Sequence, residues 1–180
     1  MLVRAVPACC LPLWELTWRR NFPQAGAVKI FLIRHGHAVD AAEQLSDGER
    51  YLTKKGRRAV REVGRALRKA GVAFEAIVTS PLVRAVQTAE LIAEQTEFAG
   101  VVEVLPSLLP IGPIETSASV IQQRAQTIAV VGHEPSISAL AGLLIGTGYF
   151  PSLRKAQVIC IQGAQAVWTV DPDRLDPQSL

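Results

Sequence analysis

The feature that most constrains this chain is a run of apolar residues that ends abruptly in charge. From Val28 the sequence reads Val-Lys-Ile-Phe-Leu-Ile and then Arg34-His35-Gly36-His37. Ile30 to Ile33 show no helical spacing, and such an unbroken apolar, partly β-branched run suits a strand covered on both faces, as in a parallel sheet. Gly36 is placed to turn the backbone sharply just beyond it. Arg34 and His35 therefore fall at the carboxyl end of a buried strand, the rim where open α/β sheets take up their ligands. A strand of this kind demands helices on both faces and further strands beside it.

Later segments supply them. Thr53 has the chemistry of a helix N-cap, and Val60, Val63, Gly64 and Leu67 recur at helical spacing until Gly71 closes the segment. Phe74 to Thr79 reads as a second strand, followed by Ser80 and by Pro81 at the first position of a helix whose buried stripe is Leu82, Val86, Ala89 and Ile92. Arg84 lies in the first turn of that helix. Val101 to Leu105 is a short third strand, Pro106 to Pro113 a proline-rich loop, and Ser117 to Ala125 a weak helix. Thr127 to Val131 is a fourth strand that runs into Gly132-His133-Glu134-Pro135, after which Ile137, Leu140, Ala141 and Leu144 mark another helix closed by Gly146. Ala156 to Ile161 and Ala166 to Val170 have the alternation of a hairpin.

The chain divides accordingly. Residues 1–27, interrupted by Pro7, Pro12 and Pro23, fit no element of the domain and read as an irregular N-terminal extension. Residues 28–170 form one domain, and residues 171–180, with Pro172 and Pro177, an irregular tail. A chain of 180 residues, 49% hydrophobic and 19% charged, has enough apolar material for a core that needs neither disulfides nor a structural metal.

Composition also excludes partners. The net charge is +3, but Arg4, Arg19 and Arg20 against Glu15 leave +2 in the extension and only +1 in the rest. The basic run Lys54, Lys55, Arg57, Arg58, Arg61, Arg65, Arg68 and Lys69 has no aromatic residues interleaved to stack bases, so it reads as a solvated helix face and no nucleic-acid partner is expected. No apolar run reaches the roughly 18 residues needed to cross a bilayer, so no membrane partner is expected either. Cys9, Cys10 and Cys160 do not make a disulfide framework, and a cytoplasmic location is the expectation. Oligomeric state is not legible, with a monomer the simplest expectation.

Three strands thus end in reactive side chains: Arg34-His35-Gly36, Thr79-Ser80-Pro81 with Arg84, and Gly132-His133. In a parallel sheet those ends share one edge, so two arginines and two histidines converge. Guanidinium forks and helix N-termini match the oxygens of a phosphoryl group. A neutral imidazole among them can attack phosphorus in line, giving a phosphohistidine that water later hydrolyses, while the remaining cationic and imidazole groups hold the equatorial oxygens. Such a pocket requires no metal and no other cofactor. His35 and His37 in a His-x-His pattern could also ligate zinc, but no third ligand is identifiable from spacing.

Leu-Ile-Arg-His-Gly, Thr-Ser-Pro-Leu-Val-Arg-Ala-Val-Gln-Thr-Ala and Val-Val-Gly-His-Glu-Pro, in this order, resemble the histidine phosphatase superfamily over roughly Val28 to Val170. The short insert between Arg84 and His133 resembles the SixA-like phosphohistidine phosphatase branch. The resemblance implies a three-layer α/β/α sandwich with a mostly parallel central sheet, the phosphoglycerate mutase-like fold. It implies that His35 is the phosphorylated nucleophile and that Arg34, Arg84 and His133 form the phosphate pocket. His37 is either a wall of that pocket or a substrate contact.

Larger members of the superfamily carry an acid that protonates the leaving oxygen. The corresponding stretch here, Leu105 to Pro113, contains no carboxylate, and Glu103 and Glu115 on either side are weak substitutes. A general acid contributes about 10² to 10⁴ in rate, and its loss matters least for a good leaving group such as imidazole. The expected activity is a phosphatase working through a covalent phosphohistidine, with a phosphorylated protein as substrate. The alternatives are a phosphatase for a small phosphorylated substrate, and a phosphoprotein-binding module without turnover.

Overall fold

The computed structural model describes residues 28–41 and 45–180. The extension expected over residues 1–27 lies outside the described residues. Seven strands form one sheet in the order β3-β2-β4-β1-β5-β6-β7: β1 Lys29–Arg34, β2 Ala76–Thr79, β3 Val102–Val104, β4 Thr127–Gly132, β5 Val158–Gln162, β6 Gln165–Val170 and β7 Gln178–Ser179. The four strands β3, β2, β4 and β1 are mutually parallel, and β5, β6 and β7 continue the sheet by antiparallel pairing. Among the described residues four α-helices cover it: α1 Lys54–Lys69, α2 Val83–Thr96, α3 Ile114–Arg124 and α4 Ser136–Ile145.

Strict alternation along the strands sorts the core into two layers. Phe31 and Ile33 of β1 join Ile77, Ala129 and Val131 beneath α1 and α2, with Val60, Val63, Leu67, Ala89 and Ile92 as the helix contribution. Ile30 and Leu32 join Val78, Ile128 and Val130 on the other face, against Ile121, Ile137 and Leu140 of α3 and α4. The chain is a three-layer α/β/α sandwich. Because both faces of β1 are covered, its residues cannot alternate polar and apolar, which is why the motif begins as a continuous apolar run.

The boundaries differ from the expectations in instructive places. Pro81 does not open a helix; it lies in a bend, Leu82 is the N-cap and α2 begins at Val83. The helix expected over Ser117 to Ala125 starts at Ile114, one residue after Pro113. The tail expected to be irregular returns to the sheet, where Gln178–Ser179 pairs with β6 as β7. Thr53 does cap α1, its hydroxyl accepting from the Gly56 amide at 3.0 Å.

The basic face of α1 is taken up locally. Arg58 pairs with Glu62, Arg61 with Glu94 and Arg68 with Glu97, while Arg65 donates to Gln95. Among the described residues no helix is long and apolar enough to cross a membrane.

Candidate functional site

Parallel register brings the three motifs level. Arg34 pairs with Gly132 across β1 and β4, and Thr79 pairs with Val131 across β2 and β4. The next residues, His35, Ser80 and His133, therefore emerge side by side. The His35 amide donates to Gly132 O at 3.0 Å, the Ser80 amide donates to Val131 O at 3.0 Å, and the two imidazole rings lie 5.0 Å apart between centroids. Arg84 reaches the same place from the first turn of α2. It is not the surface arginine that its helical position alone would suggest, being 4% exposed.

Gly36 is required for space and not for an unusual backbone angle. A Cβ there would sit 2.7 Å from Val60 Cγ2 and 3.2 Å from Leu52 Cδ2, so the loop after β1 is pressed onto α1. The loop is also hooked to α2: the Gly36 amide donates to Thr88 Oγ1 at 3.1 Å, and that hydroxyl donates to Arg84 O at 2.7 Å.

His35 Nδ1 lies 2.7 Å from Gly36 O. A carbonyl only accepts, so Nδ1 carries the ring proton and Nε2 keeps its lone pair. Burial is the largest influence on this ring and pushes its pKa down to about 4; Arg84, Arg34 and Lys155 push the same way, and the Gly36 bond opposes them. His133 is driven to about 3, by burial first and then by His35 and Arg84. Both rings are neutral near pH 7.

His133 Nε2 lies 2.8 Å from Ser80 Oγ. A hydroxyl that donates to Nε2 leaves the proton on Nδ1. Arg34 donates through Nη1 to Leu153 O at 2.6 Å. Arg84 donates through Nη1 to Asp47 O at 2.5 Å and through Nη2 to Asp47 Oδ2 at 3.0 Å. These anchors leave a pattern: Arg34 Nε, Arg84 Nε and His133 Nδ1 are all buried without a hydrogen-bond partner, the two arginine nitrogens as donors and His133 Nδ1 as a third in the tautomer in which Ser80 donates to Nε2. A buried unpaired donor costs about 1 to 3 kcal/mol, and such groups on two arginines whose charges act on His35, and on the histidine ring beside it, suit a small anion with several acceptor oxygens. Among the described residues no group of three or more His, Cys, Asp or Glu side chains is disposed to hold a metal ion.

Not every sequence candidate points the same way. His37 is drawn to α1, where its Nδ1 lies 3.1 Å from Thr53 Oγ1, the hydroxyl that caps the helix. Glu103 is engaged by Arg124, and Glu115 is an exposed residue of the first turn of α3. Four residues that serve the site received no role from the sequence: Ser80 on His133, Thr88 beneath Gly36, Asp47 on Arg84, and Glu134. The Glu134 carboxylate accepts from the Leu153 amide at 2.8 Å and from Ser138 Oγ at 2.6 Å, and so holds the loop whose carbonyl holds Arg34. Ser80, Thr88 and Glu134 stand inside the three motifs. Asp47 carries no local signal, because only the tertiary fold sets it against α2.

A mixed sheet whose parallel strand ends, together with the first turn of α2, bring two arginines, two neutral histidines and buried unpartnered nitrogens to one rim defines an α/β protein with an oxyanion pocket. Residues 30–109 match the family model described as histidine phosphatase superfamily (branch 1). An uncharacterised protein of Picosynechococcus is 33% identical over 145 residues, 77% of this chain and 87% of that protein. Phosphohistidine phosphatase SixA of Escherichia coli is 31% identical over 122 residues, 65% of this chain and 74% of that protein. A structure of the protein histidine phosphatase SixA complexed with tungstate superposes with a TM-score of 0.70 at 25% identity, covering 85% of this chain and 94% of that one. The chain belongs to the histidine phosphatase superfamily, in its SixA-like branch.

Proposed function

We propose that the chain is a phosphohistidine phosphatase acting on a phosphorylated protein domain, with His35 as the nucleophile and Arg34, Arg84 and His133 as the phosphate clamp. The observation that carries this reading is the set of three buried, unpartnered donors, Arg34 Nε, Arg84 Nε and His133 Nδ1, gathered beside His35. Tungstate, an oxyanion of phosphate-like shape, accompanies the related SixA structure.

The bond from His35 Nδ1 to Gly36 O aims an unprotonated Nε2 at phosphorus. As the Nε2–P bond forms and the P–N bond of the substrate breaks, charge on the equatorial oxygens is met by the two guanidinium groups and His133 Nδ1–H. The departing imidazole leaves neutral once its other nitrogen has taken a proton from water. Water then attacks phospho-His35, releasing inorganic phosphate and the free imidazole. Each step proceeds without a metal.

Asp47 supports the nitrogen-bound substrate. Its carboxylate is held by Arg50 and Arg84, and these bonds keep its pKa below the usual range, so it has no proton to give an alkoxide. A phosphoramidate needs none from the protein, because water protonates the departing imidazole. The domain proposed for this activity is residues 28–170, with residues 1–27 an extension outside it.

The decisive experiment is phosphoryl transfer from a ³²P-phosphohistidine protein. Label should appear on the protein in an acid-labile form, turn over to inorganic phosphate, and vanish in His35→Ala. Arg84→Ala should lower kcat/KM by about 10² or more, equivalent to about 3 kcal/mol of transition-state stabilisation. Faster hydrolysis of simple phosphomonoesters than of phosphohistidine would refute the substrate class, and labelling that survives His35→Ala would refute the nucleophile.

A further inference from the structure

Asp47 stands in a 3₁₀ turn, Asp47–Glu49, that Ser46 and Glu49 brace through reciprocal hydrogen bonds. Its backbone carbonyl and its carboxylate take the two terminal nitrogens of Arg84, and its other carboxylate oxygen takes Arg50 Nη1 at 2.8 Å. Arg84 is thereby gripped at its outer end by one residue, and its Nε edge is left buried and unpartnered. The carboxylate belongs to an exposed turn, its side chain 58% accessible, while the arginine it grips is almost wholly enclosed. Its negative charge is also felt inside the pocket, where it opposes the other influences on His133.

We propose that Asp47 is the positioning residue and built-in counter-ion of the phosphate pocket, orienting Arg84 and weakening the hold on the inorganic phosphate product so that it is released. This role rests on the phosphatase reading above. A pocket lined by two buried guanidinium groups and nothing negative would retain the doubly charged product. A carboxylate bound to the far side of Arg84 offsets part of that attraction, and it does so without taking the Nε edge that the phosphoryl group uses. The orientation of Arg84 is thereby kept for the transferring group, while the attraction that would delay departure of the dianionic product is reduced.

The test is Asp47→Asn. Asparagine keeps the backbone carbonyl for Nη1 and one amide oxygen for Nη2, so Arg84 retains both acceptors while the charge and the bond from Arg50 are removed. Removing one negative charge beside a dianion at a partly exposed site should tighten inorganic phosphate about fivefold, and the gain should shrink at high salt. Calorimetric titration with inorganic phosphate reads the binding, and steady-state kinetics should show kcat falling while KM falls with it. Asp47→Ala, which removes the Nη2 acceptor as well, should lower the rate of His35 labelling, whereas Asp47→Asn keeps it. If the wild-type protein binds phosphate and Asp47→Asn binds it no tighter, the counter-ion role is wrong and the phosphatase reading stands. If the wild-type protein binds no phosphate at all, both fail.

Discussion

Acid should destabilise this protein through its two site histidines well before its carboxyl groups protonate. The rings of His35 and His133 have folded pKa values of about 4 and about 3, against 6.5 for a free ring. Below pH 6.5 the unfolded chain therefore binds protons that the folded chain refuses, and stability falls as pH falls. Between pH 7.5 and 5.0 each ring accounts for about 2 kcal/mol, so the pair removes on the order of 4 kcal/mol from a total that for domains is typically about 5 to 15 kcal/mol. Asp47 has the opposite linkage: its depressed pKa contributes stability above 3.8 that is lost only as pH falls through its lower folded value, outside this window. Urea unfolding at both pH values, followed by the fluorescence of tryptophan, which includes the buried Trp168, measures the difference. In His35→Asn the loss between pH 7.5 and 5.0 should shrink by about 2 kcal/mol. An Asn variant that loses as much stability as the wild type would refute the claim that burial holds this ring neutral.

Ser80→Ala should remove the hydroxyl that directs the His133 proton to Nδ1, weakening phosphate by about 10-fold, equivalent to roughly 1.4 kcal/mol; nitrogen-15 shifts should show His133 passing to mixed tautomers, and an unchanged ring would disprove the role. Glu134→Ala should cost about 2 kcal/mol in urea unfolding, since the Leu153 amide and Ser138 hydroxyl both lose a charged acceptor. It should also lower kcat/KM, because the Leu153 carbonyl that anchors Arg34 is no longer fixed. His37→Ala should leave His35 labelling unchanged and cost about 0.5 to 1 kcal/mol of stability, reflecting its place on the Thr53 cap. A collapse of labelling in that variant would instead return His37 to the substrate.

The architecture was legible because the relevant signals are local. A continuous apolar run means a strand covered on both faces, and the caps and stripes of α1, α2 and α4 are written at helical spacing within each segment. Boundaries shifted where a proline has two uses: Pro81 could open a helix or shape the bend before one, and only the packing of Ser80 against His133 selects the bend. Within the tail, the pairing of Gln178–Ser179 was not legible because those two residues have no strand character of their own; β7 exists where β6 offers an edge.

By itself the sequence determined which chemical groups the chain carries and where each falls along it: an arginine and a histidine after β1, an arginine early in α2, a histidine after β4. Tertiary structure decided what those groups become. Register across β2, β4 and β1 sets His35 and His133 5.0 Å apart. Enclosure strips water from both rings and makes them neutral, and the backbone carbonyl of Gly36 chooses which nitrogen of His35 is free. Distant loops supply the anchors, Asp47 for Arg84 and Leu153 for Arg34, that leave the inner edges of both guanidinium groups unpaired. Residue identity is a local property, whereas desolvation, tautomer and ion pairing depend on every group within a few ångströms, and most of those lie far away along the chain.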